Sequence, residues 1–395
     1  MIRGTPELWR AVRDDPELCA LAAAPEAKTA SGVGRLRKRW DAELVGVALA
    51  MARGAEKIDR KWVGESLCAD PEGAEMASTA RASRHKADRF VTTGAFVIDL
   101  CCGIGADARA LAERAPTVAV DHDPVRAWLT AENSGAEPRC VDAASVNTEG
   151  ALIHVDPSRR VDARRLWRYE DLRPGPSVFE PLCETALGAA LKLGPGVDPN
   201  SVPSGELEFI SEAERVSGRV SSRRLTQAVL WVGALCGSCT RRATLLLPGE
   251  TVTLTGDPAP DPLPGSGSRL YTIDPAVERA DLVAKLAGDV GLGVLHARVG
   301  MLVGDPGGPA DTSPWLTSFD LIDRFPWSER ASAERLRSLS AGVVEVKPRG
   351  VRLDTDRLQA RFRGDGDEAL TLFVLRFGDR IEGFICRRVG SPGPI

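Results

Sequence analysis

No uninterrupted apolar run in the chain approaches the roughly 18 residues that a membrane span needs, which excludes a transmembrane helix. The opening stretch "MIRGTPELWR" lacks the apolar core of a secretory signal, so a cytoplasmic protein is expected. A disulfide framework is missing too. The nine cysteines are odd in number and scattered, which fits free thiols in a reducing compartment. There is no basic excess: a formal net charge of -4 argues against a protein that coats nucleic acid, but leaves room for a local basic face. Only four histidines are present, and they are dispersed. The one Cys-x-x-Cys, "CGSC" at 236–239, has no second pair and no nearby His, so no metal site is expected. No internal repeat is visible.

What is present is a soluble globular composition, 43% hydrophobic and 27% charged, on 395 residues. That length predicts two or three domains. Residues 1–90 carry apolar positions at helical spacing ("WDAELVGVALAMARGA", "ASTARASRHKADRFV") and read as a helical N-terminal domain. From residue 96 the pattern changes. "FVIDL", "TVAVD", "PRCVD" and "ALIHVD" are short apolar runs, each with an Asp at or near its end, and helical stretches separate the first three. Such runs mark a parallel sheet covered on both faces. "LKLGPGVDP" and "ELEFISEAERVSGRV" read as further strands, "RRLTQAVLWVGAL" as a helix, and the sheet domain runs over 91–255. "GDPAPDPLPGSGS", 256–268, reads as a linker. Residues 269–395 alternate again and predict a small α+β domain of the split βαβ kind.

The chemistry concentrates in "VIDLCCGIGADA". "GIGADA", from Gly103 to Ala108, satisfies the Gly-x-Gly-x-x-Ala pattern of dinucleotide sites, and Asp121 lies near the distance expected for a ribose-binding acid. Asp99 speaks against a dinucleotide. Read as the end of the first strand, four residues before Gly103 and pointing into the same crevice, its carboxylate would repel a pyrophosphate at the helix N-terminus. S-adenosylmethionine (SAM), with a sulfonium, an α-ammonium and no phosphate, reverses that argument. Asp121 would accept the ribose hydroxyls and Asp142, in "CVDAASV", the adenine amino group, at the strand ends where open α/β sheets bind ligands. On any one Asp, a helix N-cap is the ordinary explanation; the combination of three carries the reading.

Residues 96 to about 160 resemble a class I SAM-dependent methyltransferase: "VIDLCCGIGADA", "VAVDHDP", "CVDAA" and "HVDPSRR" stand for its first four motifs. With "LKLGPGVD", "GELEFIS" and "EVKPRGVRLD", most of the chain resembles bacterial methyltransferase-like proteins with a C-terminal THUMP-like domain. The resemblance implies a Rossmann-like doubly wound α/β methyltransferase sheet, a helical N-terminal domain and a C-terminal α+β (ferredoxin-like or THUMP-like) domain. It places Asp99, Cys101, Gly103 and Gly105 at the methionine end of the cofactor, Asp121 and His122 at the ribose, and Asp142 with Ala143 at the adenine.

Methyl transfer is an in-line displacement that needs alignment of the nucleophile and, for some acceptors, a base. The end of the fourth strand is where many nucleic-acid amino-methyltransferases hold the acceptor with Asp or Asn, Pro, Pro and an aromatic. Here Asp156 and Pro157 keep the acid and first proline, while Ser158 and Arg159 replace the rest. Arg159 and Arg160 are candidates for a phosphate or carboxylate on the acceptor, or for salt bridges within the loop, and Lys192 for the pocket rim. Cys101 and Cys102 read as small packing residues rather than nucleophiles. "GRLRKRW" at 34–40, Arg81, Arg84, Lys86 and Arg89, and Lys347, Arg349 and Arg352 are candidate basic faces, or the solvated sides of helices. THUMP-containing enzymes act on structured RNA, so the resemblance implies tRNA or rRNA as substrate. Methylation of a small molecule, and a catalytically inactive protein that binds SAM and RNA, are the other two readings.

Overall fold

The computed structural model describes residues 4–161, 164–165, 168–216, 219–296 and 299–389. Of these, the side chains of 92–93, 160–161, 164–165 and 219 are not described. Contacts group the chain into two compact units, Met1–Glu208 with Gln227–Ser238, and Phe209–Thr226 with Cys239–Ile395. The division therefore runs through two long strands rather than at the expected linker, and the helical segment 1–90 shares a unit with the parallel sheet.

In the first unit, helices α1 (Pro6–Arg13), α2 (Pro16–Ala23), α3 (Ala30–Leu36), α4 (Ala42–Ile58), α5 (Pro71–Met76) and α6 (Ala80–Ala87) precede the sheet. Strands β1 (Val97–Leu100), β2 (Thr117–Asp121), β3 (Glu137–Cys140) and β4 (Leu152–Val155) follow, with α7 (Ala106–Ala112) and α8 (Pro124–Asn133) between the first three. Two short strands, β5 (Arg160–Val161) and β6 (Arg164–Arg165), then α9 (Pro176–Thr185), lead to β7 (Gly188–Leu193). β2 and β4 flank β1, β3 pairs with β2 and β7 with β4, all parallel. The lateral order is thus β3, β2, β1, β4, β7, and the chain reverses direction across the sheet between β1 and β4, the switch point at which such sheets take ligands.

Local sequence explains the helix starts. Asp15-Pro16, Asp70-Pro71 and Asp123-Pro124 each place a capping carboxylate before a proline, which needs no N–H in the first turn. All three carboxylates accept backbone N–H groups at their helix starts. The N-terminal helices are not an independent body: Trp9, Leu18, Val45 and Trp62 share one buried cluster with Ile104, Val125, Trp128 and Leu129.

One expected helix is a strand. "RRLTQAVLWVGAL" falls largely within β9 (Arg219–Gly233), whose end pairs antiparallel with β7 from Gly188↔Gly233 to Leu193↔Ala228. Residues 227–231 are buried without a break, so the period of two that marks a half-exposed strand is absent, and the apolar run mimics a buried helix. β8 (Glu206–Val216) reads as expected. Both β8 and β9 pass from one unit to the other.

The second unit holds the hairpin β10 (Arg241–Leu247) and β11 (Glu250–Gly256), an irregular stretch over 257–268 and a seven-stranded sheet. The sheet's strands are β12 (Arg269–Ile273), β13 (Gly293–Val294), β14 (Met301–Gly304), β15 (Leu316–Pro326), β16 (Ala341–Arg349), β17 (Glu368–Phe377) and β18 (Arg380–Arg388). Helices α10 (Pro275–Arg279), α11 (Val283–Val290), α12 (Glu329–Ser338) and α13 (Thr355–Phe362) complete the α+β unit. The order β13, β14, β12, β15, β18, β17, β16 places the β17–β18 hairpin between β15 and β16, which α12 joins: a split βαβ crossover. Among the described residues no helix is long and apolar enough to cross a membrane.

Candidate active site

A cavity of about 800 Å³ opens at the C-terminal ends of the parallel strands. Nine of the candidate cofactor, catalytic and substrate residues border it: Cys101, Gly103, Asp121, His122, Asp142, Ala143, Asp156, Pro157 and Arg159. They come from the segments after β1, β2, β3 and β4, as the switch-point geometry requires.

The turn after β1 is built on three left-handed residues at alternate positions. Cys101 has φ 62°, Gly103 φ 61° and Gly105 φ 78°. At Gly105 a side chain is also sterically excluded, since a Cβ would lie 2.9 Å from Thr130 Cα on α8. Gly105 thus shapes the turn from behind and is not on the cavity wall. Cys101 adopts this conformation despite its Cβ, a strain of about 1–2 kcal/mol. Cys101→Gly is therefore expected to stabilise the fold by about 0.5 kcal/mol after the entropy of the added glycine is deducted, read as a small rise in the thermal midpoint. Burial, reinforced by Asp121 and Asp156, pushes the Cys101 thiol well above its usual range, so it stays protonated. All nine cysteines are thiols, none of them in a disulfide.

Asp121, the expected ribose acid, is the last residue of β2. Its Oδ2 accepts from Gly103 N–H at 3.0 Å and its Oδ1 from Asp123 N–H at 3.0 Å, which fixes the carboxylate plane and uses one lone pair on each oxygen. Burial raises its pKa, partly offset by those two N–H groups. His122 is largely exposed and lies 3.5 Å from Asp121. Asp142 is exposed and caps the short turn that follows, accepting from Ala144 N–H at 2.8 Å. The ordinary N-cap explanation therefore holds for one of its oxygens.

Three sequence expectations need correction. Asp99 does not face the cavity: it is completely buried, with Oδ1 2.6 Å from His154 Nδ1 on β4. A strand residue whose neighbour in the sheet is also polar finds its partner inside, and here β1 and β4 pair Asp99 with His154 directly. Lys192 is not on the rim but buried beneath it, its Nζ 2.7 Å from Asp156 Oδ2 and 3.4 Å from Asp107 Oδ2. The residues from Arg81 to Arg89 do not form a basic face. Lys86 is buried on Asp107 at 2.8 Å, Arg84 pairs with Glu65 at 2.6 Å and Arg89 with Glu206 at 2.8 Å. The side chain of Arg160 lies outside the described residues.

Asp107, missed in the sequence, is the hub of this interior. It accepts from Ser78 Oγ at 2.9 Å and Ser83 Oγ at 2.7 Å and binds both buried lysines. Burial alone would raise its pKa, but Lys86, Lys192 and His154 together hold it well below the carboxylate range. Its only sequence signal was an unassigned position inside "GIGADA". Arg173, also missed, borders the cavity because Ser158 and Arg173 exchange backbone hydrogen bonds of 2.6 and 3.0 Å that fold the loop back beside Arg159.

The turn decides which cofactor fits. Gly103 N–H is taken by Asp121, and Gly105 N–H by Cys102 C=O at 2.9 Å, so neither is available to cradle a pyrophosphate. With Asp121 and Asp142 on the wall beside this turn, that part of the cavity suits a cofactor without phosphate.

Comparison with known proteins agrees. The chain is 32% identical over 363 residues, 87% of its length and 96% of the relative's, to an uncharacterized S-adenosylmethionine-dependent methyltransferase of Mycobacterium tuberculosis, present in strains CDC 1551 and H37Rv. The chain thus belongs to the S-adenosylmethionine-dependent methyltransferases, enzymes that take their methyl group from SAM. A crystal structure from Porphyromonas gingivalis W83, of a protein provisionally named a methyltransferase, shares the fold along the whole chain, with TM-score 0.70 at 17% identity, covering 98% of this chain and 100% of that one. Residues 316–388, from β15 to β18, match the THUMP domain-like family.

Proposed function

We propose that the enzyme methylates RNA, tRNA or rRNA, at a nucleophile held beside Asp156 and Pro157. The THUMP domain-like match over 316–388 carries the RNA reading. SAM supplies an electrophilic methyl group on its sulfonium, and the chain's own residues supply alignment. Asp121 would hold the ribose, with Asp142 and Ala143 at the adenine and Cys101 and Gly103 along the methionine. Asp156 is suited to the acceptor. Among the described residues its one side-chain hydrogen bond runs through Oδ2 to Lys192, which leaves Oδ1 for an N–H or O–H of the acceptor. Asp156, a carboxylate on the cavity wall, would take any proton that the acceptor releases. Arg159 and Arg173, both on the cavity wall, would contact a phosphate next to the acceptor.

A second reading, methylation of a small molecule, is favoured by the pairing of basic residues in the second unit. Lys347 lies 2.8 Å from Glu345 and Arg349 2.8 Å from Glu278; Glu329 takes Arg361 at 2.7 Å and also Arg357. Incubating the enzyme with tritiated SAM and total RNA from a strain lacking its gene separates the two. Label in RNA is expected; intact SAM binding without label would favour the small molecule.

A further inference from the structure

The helical segment before the sheet contributes one wall of the cavity. Glu72, Gly73, Glu75, Met76 and Ala77, on and just after α5, all border it. Two side chains of α8 latch this segment to the glycine turn. Arg126 pairs with the buried Asp70, which itself caps α5 through Glu72 N–H and Gly73 N–H, both at 3.2 Å. Asn133 accepts from Cys68 N–H at 2.6 Å and donates to both Cys68 C=O and Ile104 C=O at 2.7 Å, so one amide ties the segment to the middle of the turn. The two latch residues are seven apart, two helical turns, and share a face of α8. Gly73 completes the seat: a Cβ there would lie 2.0 Å from Arg126 Nη1 and 2.4 Å from Ile104 Cγ2.

Sheet order fixes what lies under this wall. Asp142 follows β3 and Asp121 ends β2, so a nucleoside held by both occupies that side. The glycine turn follows β1, toward β4, and α5 rests on that turn. The part of the cofactor beyond the nucleoside is therefore the part α5 meets. We propose that α5 is the recognition element for the amino-acid end of SAM, with the Glu72 carboxylate complementing its α-ammonium. The assignment concerns the cofactor alone and is independent of which acceptor the enzyme uses.

Calorimetry on the full chain with two probes tests it. S-adenosylhomocysteine carries the amino-acid part, and 5′-methylthioadenosine lacks it. Glu72→Gln is expected to weaken S-adenosylhomocysteine at least tenfold, the loss of one charge-assisted hydrogen bond, and to change 5′-methylthioadenosine less than twofold. Asp70→Asn, which loosens the latch, is expected to act in the same direction. Because Asp70 is buried and its variant can misfold, Glu72→Gln, at a partly exposed position, decides the matter. Equal weakening of both probes, or no weakening of either, overturns the proposal. Failure of the wild type to bind either probe would overturn the cofactor site as a whole.

Discussion

Asp121→Ala is expected to lower SAM affinity about 100-fold. An ionised carboxylate accepting two hydroxyls makes two charge-assisted hydrogen bonds, and their loss totals about 3 kcal/mol, which is about two orders of magnitude in Kd. A second effect acts in the same direction, because the same carboxylate holds Gly103 N–H and so shapes the turn. The pH dependence gives an independent check. Burial raises the pKa of Asp121, and only the ionised form accepts from both hydroxyls without donating. Affinity should therefore be flat near neutrality and fall as pH drops through that raised value. Asp121→Asn should bind more weakly and lose the slope. Calorimetry at two or more pH values reads both, and a wild-type affinity independent of pH down to the acid limit of the fold would remove Asp121 from the site.

How much of this was legible in the sequence depends on what each residue packs against. The four strands β1 to β4 were readable because a doubly covered parallel strand is a short apolar run that ends where the chain meets the ligand crevice. The acids after β2, β3 and β4 were readable for the same reason. Asp99 was not, because sequence gives its place on the strand but not the neighbour across the sheet. His154, 55 residues later, turns a supposed ligand group into an interior one. β9 was misread because unbroken burial over 227–231 erases the alternation that distinguishes a strand from a helix. The α5 wall left no signal at all. Its place on the turn depends on Asp70 meeting Arg126 and Cys68 meeting Asn133, contacts separated by 56 and 65 residues.

Asp107→Ala is expected to destabilise the first unit by about 3–5 kcal/mol, because it strands two buried ammonium groups, Lys86 and Lys192, without their shared partner. For a unit of this size the thermal midpoint should fall by roughly 10 °C. The pair is weaker evidence of net stabilisation than that number suggests. Replacing both partners, as in Asp107→Leu with Lys86→Met, should recover most of the loss, since Lys192 retains Asp156 at 2.7 Å. The sign of the pH effect follows from the direction of each shift. Asp107 titrates below its unfolded value, so its contribution is complete above the unfolded pKa and is lost as pH falls toward the folded one. Asp99 titrates above its unfolded value, chiefly through burial, so its contribution runs the other way and declines as pH rises through that window. Its Oδ2 is buried without a hydrogen bond, consistent with a carboxylate that gains little from being ionised there. Asp99→Asn keeps an oxygen for His154 Nδ1 and removes the opposing titration. In that background the acid-side loss of stability should steepen, and Asp107→Ala should abolish the added slope. A midpoint-against-pH series for the wild type and both variants distinguishes this from a purely steric role for Asp107, which would lower every midpoint equally and leave the slopes alone.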